Sequence, residues 1–271
     1  MSEAHDVTSD DNEVLYDVSD HIATITLNAP ERMNTISGPM LSALSSRLIE
    51  ANEDPEVRVV ILTGNGRAFC AGLDVKAQTQ GKGLSIGSAG FSSLDMRNTP
   101  PIVLQAMDKP TICAVNGGAA GYGLDTALGC DIRLMADTAK LAAAFTKRGV
   151  VPESGGTWIL PRLLGWSKAA ELIFTGRTLN AEEAVEWGLA SEVVPAEQLM
   201  DRARTLAQEI AANAPLAVQS AKRMMRMGLN EPFAEHVHHV YLQLLPLMRT
   251  EDVKEGMLAF VEKRAPNFKG R

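Results

Sequence analysis

Apolar runs rich in β-branched residues recur along the chain. They are "HIATITLNAP" (His21–Pro30), "VRVVILTG" (Val57–Gly64), "PTICAVNG" (Pro110–Gly117) and "CDIRLMA" (Cys130–Ala136). Each is short, ends at or near turn-forming residues, and reads as a strand. Segments of helical period lie between them. In "SGPMLSALSSRLIEANEDPE", Ser37 is placed to cap, Pro39 sits just inside, and Met40, Leu41, Leu44, Leu48 and Ile49 share one face. Strands alternating with helices imply an α/β architecture. With 271 residues, 45% of them hydrophobic, the chain can bury a large core.

Beyond Gly188 the strand signal fades except in "LASEVVP". Four helical segments follow, from "AEQLMDRARTLAQEIAANAP" to "EDVKEGMLAFVEKR". Asn180 with Glu183 three residues later forms a capping pattern. The expected organisation is a lead-in over residues 1–15, an α/β core over 16–195 and a helical region over 196–271. The helical region is expected to bury its apolar stripes against other subunits. Within the core, Gln78–Pro101 is rich in glycine and serine and is expected to be a flexible flap over a pocket.

Several classes are disfavoured. The net charge is −7, against nucleic acid as the main partner. No apolar run is long enough to cross a membrane. The start, "MSEAHDVTSDDNEV", has neither the basic nor the apolar part of a secretory signal. Cys70, Cys113 and Cys130 lie in apolar segments without CxxC spacing and read as buried, reduced thiols, so a cytoplasmic location is expected. The "HVHH" histidines have poor metal spacing, and Ser154 lacks the glycine pattern of a serine-hydrolase elbow.

Two glycine turns carry the candidate chemistry. "NGGAAGYGLD" (Asn116–Asp125) follows a strand and opens a helix, but has neither dinucleotide nor P-loop spacing. "GRAFCAGLD" (Gly66–Asp74) also follows a strand. Together they could present backbone N–H groups to a developing oxyanion, or serve only as packing turns. Asp74, Asp125 and Glu153, the last in "RGVVPESGGTW", are the carboxylates near these turns; each could instead cap a helix.

Taken together, "GRAFCAGLDVK", "KPTICAVNGGAAGYGLDTALGCDIRLMAD", "VVPESGGTWILPRLLG", "TGRTLNAEEAVEWGLASEVVP" and "EGMLAFVEKRAPNFKG" resemble the crotonase superfamily of enoyl-CoA hydratases and isomerases. The resemblance runs from about His21 to the C-terminus. It implies the ClpP-like crotonase fold, a spiral of ββα repeats with a C-terminal helical trimerisation region, forming trimers or hexamers. It implies an acyl-CoA thioester substrate, coenzyme A being part of that substrate and no separate cofactor being needed. By motif position the oxyanion N–H groups would be those of Leu73 and Tyr122. Coenzyme A contacts would fall on Arg32, Ala68, Ala71, Gly72, Asp74, Lys76, Lys263 and Lys269. Phe145 and Trp158 would line the acyl pocket, beside the flap.

The resemblance also exposes a departure. Hydratases of this superfamily carry two glutamates. Asp125 stands at the place of one and Phe145 at that of the other. Glu153 stands where several isomerase branches place an acid/base carboxylate. The resemblance therefore implies double-bond isomerisation with Glu153 as acid/base and Asp125 as a second catalytic candidate. Hydration of a 2-enoyl-CoA by a rearranged Glu153–Asp125 pair is the alternative, and a non-catalytic or RNA-binding relative is a third.

Overall fold

The structure, a computed structural model, describes residues 13–74 and 99–271. The residues expected as a lead-in lie mostly outside these, as do Lys76 and the flap up to residue 98. Strand β1 (Val14–Ser19) begins inside the expected lead-in and pairs antiparallel with β2 (Ile22–Leu27). The turn between them places Asp20 and His21 in the left-handed region, at φ 52° and 63°. Two consecutive positive φ values match the right-handed twist of a hairpin.

Helix α1 (Gly38–Glu53) begins as the sequence predicts: the Ser37 hydroxyl accepts the Met40 N–H at 3.1 Å. Its buried side includes Met40, Leu41, Leu44 and Leu48, while Ile49 is only partly covered. Strands β3 (Val59–Gly64), β5 (Thr111–Val115), β7 (Ile132–Ala136) and β10 (Glu192–Val194) continue the first sheet in parallel, giving the order β1-β2-β3-β5-β7-β10. β3 and β5 are buried along their whole length, as strands covered on both faces must be, which is why they read as unbroken apolar runs.

A second sheet of four short strands, ordered β4-β6-β8-β9, stands beside the first. These are β4 (Ala68–Cys70), β6 (Gly118–Ala120), β8 (Lys140–Ala142) and β9 (Thr178–Asn180). The chain passes from β3 to β4, β5 to β6 and β7 to β8, one strand to each sheet. Helices then close the turns: α2 (Pro100–Ala106), α3 (Tyr122–Gly129), and the pair α4 (Gly156–Leu164) and α5 (Trp166–Thr175). This is the ββα spiral of the crotonase fold. Helix α6 (Ala181–Trp187) follows β9 and opens with the complete Asn180–Glu183 capping box.

Four helices end the chain: α7 (Leu199–Ala211), α8 (Pro215–Gly228), α9 (Phe233–Leu247) and α10 (Glu251–Glu262). α7 belongs to the core as much as to the tail. Leu199, Ala203, Ala207 and Ala211 form a buried stripe at four-residue spacing, and the small alanines let the helix lie against β2, β3, β5 and β7. α8 is docked through charge: Lys222 reaches Asp131 at 2.7 Å, and Arg226 meets Asp108 at 2.7 Å. α9 buries no residue within this chain.

Candidate active site

The two glycine turns meet because glycine lets their backbones approach. A Cβ on Gly123 would lie 2.1 Å from the Cys70 carbonyl oxygen, so the start of α3 presses directly on β4. A Cβ on Gly72 would lie 2.9 Å from the Ala120 oxygen and 3.8 Å from the Tyr122 nitrogen. Gly72 and Gly121 also hold φ of 98° and 54°, which other residues rarely adopt. Asn34 fixes the edge of this assembly. Fully buried, its side chain accepts the Ala29 N–H and donates to the Asn65 and Ala68 carbonyls at 3.0 and 2.8 Å.

Among the described residues, the N–H groups of Leu73 and Tyr122 donate to no acceptor. That of Tyr122 is an orphan by position, in the first turn of α3. Two unpaired N–H groups at adjoining turns, one of them at a helix N-terminus, suit an oxygen that gains negative charge.

Asp125 lies in that same helix and is fully buried. It does not cap its own helix. Its Oδ2 accepts the Ser154 N–H at 3.1 Å, just before α4, where backbone donors are free by geometry. Among the described residues, Oδ1 is buried without a hydrogen-bond partner. Gly156 stands so close that a Cβ there would lie 2.4 Å from Oδ1, and its N–H favours the charged carboxylate. Burial pushes the Asp125 carboxyl up to about 7, against the pull of the Gly156 and Ser154 N–H groups and helped by the charge of Glu153.

Glu153 is exposed, on the turn between the buried Pro152 and Gly155, whose φ is 114°. It has no ion pair or hydrogen bond among the described residues. Its charge is felt at both Asp125 and Tyr122, so all three belong to one electrostatic neighbourhood. Tyr122 is 8% exposed, and its hydroxyl is buried without a hydrogen-bond partner among the described residues. Burial, then the charge of Glu153, pushes its phenol well above the usual range. Phe145 is buried too, with Cε1 4.0 Å from where a Cβ on Gly121 would stand. Trp158 is more open; the Arg162 guanidinium lies over its ring at 3.8 Å from the centroid.

The residues expected to meet coenzyme A are more scattered. Ala68, Ala71, Gly72 and Asp74 follow one another along β4 and the turn after it, with the Ala71 N–H bonded to the Met33 carbonyl and that of Asp74 to Ile36. Arg32 lies close by but is engaged: it pairs with Glu13 at 2.7 Å and donates to the Thr35 carbonyl. Lys263 ends α10 in the left-handed conformation, and Lys269 lies on the C-terminal tail, its N–H held by Asp252 at 2.6 Å. Sequence reasoning missed three features: the buried hydroxyl of Tyr122, the Asn34 clamp, and the tie from Asp125 to Ser154. Only the tyrosine left a trace in the sequence, as a bulky residue within a glycine turn.

The family model described as enoyl-CoA hydratase/isomerase matches residues 17–271. The (E)-benzylidenesuccinyl-CoA hydratase of Thauera aromatica is 37% identical, over 95% of this chain and 99% of that protein. The carnitinyl-CoA dehydratase of Salmonella enteritidis is 38% identical, over 92% and 95%. The 1.8 Å crystal structure of an enoyl-CoA hydratase from Bacillus anthracis superposes with a TM-score of 0.90 at 36% identity, covering 96% of this chain and 100% of that one. With its ββα spiral and its meeting of two glycine turns, the chain belongs to the enoyl-CoA hydratase/isomerase family, the CoA-thioester-processing enzymes of the crotonase fold.

Proposed function

We propose that the protein moves a double bond in an enoyl-CoA, with Glu153 as the acid/base. The carrying observation is a carboxylate without a partner among the described residues, in the charge field of the turn that bears Tyr122; the family resemblance adds that Phe145 stands where hydratases carry a second glutamate. The Leu73 and Tyr122 N–H groups hold the thioester oxygen. Glu153 takes a proton from C2 of a 3-enoyl thioester. The electron pair moves through C1 onto that oxygen and gives a dienolate. The protonated Glu153 then returns its proton at C4, and the double bond rests between C2 and C3. Each N–H aimed at the oxyanion contributes about 3 kcal/mol.

Asp125 acts behind Glu153 in this reading. By holding the Ser154 N–H it fixes the turn that carries the base. Coenzyme A follows β4 and the Arg32 corner, with Lys76, Lys263 and Lys269 as cationic partners. The assembly is a trimer or a pair of trimers, supported by the large apolar side chains that α9 and α10 leave open, among them Phe233, Tyr241 and Phe260. The protein acts on a soluble substrate in the cytoplasm.

One observation favours a second reading. Asp125 combines a raised pKa with an unpartnered Oδ1, which suits it to share a water with Glu153 for addition to a 2-enoyl-CoA. Names of similar proteins include a hydratase and a dehydratase. Purified enzyme supplied separately with a 3-enoyl-CoA and a 2-enoyl-CoA decides between them. Isomerisation predicts loss of the 3-enoyl substrate and little 3-hydroxyacyl product from either. Rapid hydration of the 2-enoyl substrate would instead establish the second reading.

A further inference from the structure

Among the described residues, two polar atoms on one side of α3 are buried without hydrogen-bond partners: the Tyr122 hydroxyl and Asp125 Oδ1. Three residues apart on a helix, the two side chains lie on the same face. They do not bond to each other. A buried polar group without a partner is uncommon in a folded protein and points to a ligand or water. The phenol stays protonated, since burial and the charges of Glu153 and Asp125 oppose its ionisation, so it can donate. Tyr122 also supplies the backbone N–H assigned above to the thioester oxygen. Its hydroxyl therefore lies one tyrosine side chain away from the substrate carbonyl. A plain alkyl chain would leave that hydroxyl unsatisfied.

We infer that the site selects acyl-CoA thioesters bearing an oxygen acceptor a few carbons from the thioester, and that the Tyr122 hydroxyl is the selecting donor. The inference rests on the acyl-CoA reading but not on which reaction follows. It makes Tyr122 bifunctional: the main chain holds one substrate oxygen and the side chain a second. A pocket built to bond an oxygen discriminates strongly against the analogue without it, because its own polar group is then stranded.

The test uses saturated thioesters, which cannot isomerise or add water. Calorimetric titration of the full-length protein with hexanoyl-, 4-oxohexanoyl- and 5-oxohexanoyl-CoA gives three dissociation constants for the wild type and for Tyr122→Phe. The variant keeps the backbone N–H and the ring. The wild type is expected to bind at least one oxo compound roughly tenfold more tightly than hexanoyl-CoA, and Tyr122→Phe to erase that preference while holding hexanoyl-CoA as well or better. Equal binding of all three by the wild type, or a preference that survives in Tyr122→Phe, overturns the inference and leaves the acyl-CoA reading standing. Failure of all three to bind overturns both.

Discussion

Asp125 shows how little a residue's type says about where its side chain points. In sequence it ends a glycine turn and could have capped its own helix. In the structure it lies within α3 and serves the start of α4. Its carboxyl, pushed by burial up to about 7 from the usual aspartate range, has a definite consequence for stability. The folded state binds a proton there that the unfolded state has released, so the contribution is fully present below about pH 4 and is lost as pH rises to about 7. Denaturant titrations of wild type and Asp125→Asn should therefore show the wild type losing stability relative to the variant across that window, by on the order of a few kcal/mol. A difference that does not change with pH would contradict the assigned burial. Gly123 makes a second prediction at this scale. Gly123→Ala places a Cβ against the Cys70 carbonyl, and thermal melts should show a loss of roughly 1–3 kcal/mol or more, with activity falling as the two glycine turns are forced apart. That these turns face one another could not be read from their spacing, since glycine turns after strands are common in any α/β chain.

The long strands and capped helices were legible because they carry a period. β3 and β5 are continuous apolar runs, Ser37 and Asn180 cap as their side-chain chemistry requires, and β10 emerges from "LASEVVP". The second sheet was not legible. Its strands are three residues each, such as "GAA" and "KLA", too short to show alternation and poor in strand-favouring side chains. They form because the spiral brings neighbouring turns into register. The Asn180 cap offers a direct check of an isolated element. Asn180→Ala removes the acceptor for the Glu183 N–H at 2.8 Å and should destabilise the protein by about 1 kcal/mol in chemical unfolding, with kcat/KM unchanged. A change in catalysis larger than that in stability would mean that α6 is coupled to the site.

The first α-helix beyond residue 195 joins the core. α7 lies against the six-stranded sheet, and the open apolar surface is carried further along the tail. Phe233 and Phe260 are 83% and 86% exposed, and several other large apolar side chains of α9 and α10 lie open beside them in sequence. If the proposed trimer forms through this surface, Phe260→Glu should shift the protein toward monomer in light scattering coupled to size exclusion; a monomeric wild type or an unchanged mass would contradict it. In the proposed reaction Glu153 carries the proton. This role is tested most directly by following a 3-enoyl-CoA in deuterium oxide with wild type and Glu153→Gln. The wild type is expected to form the 2-enoyl product, with deuterium entering at C2 or C4 as the base exchanges with solvent. Glu153→Gln is expected to lose at least about a hundredfold in rate while still binding saturated acyl-CoA. Full-rate isomerisation by Glu153→Gln would contradict that role.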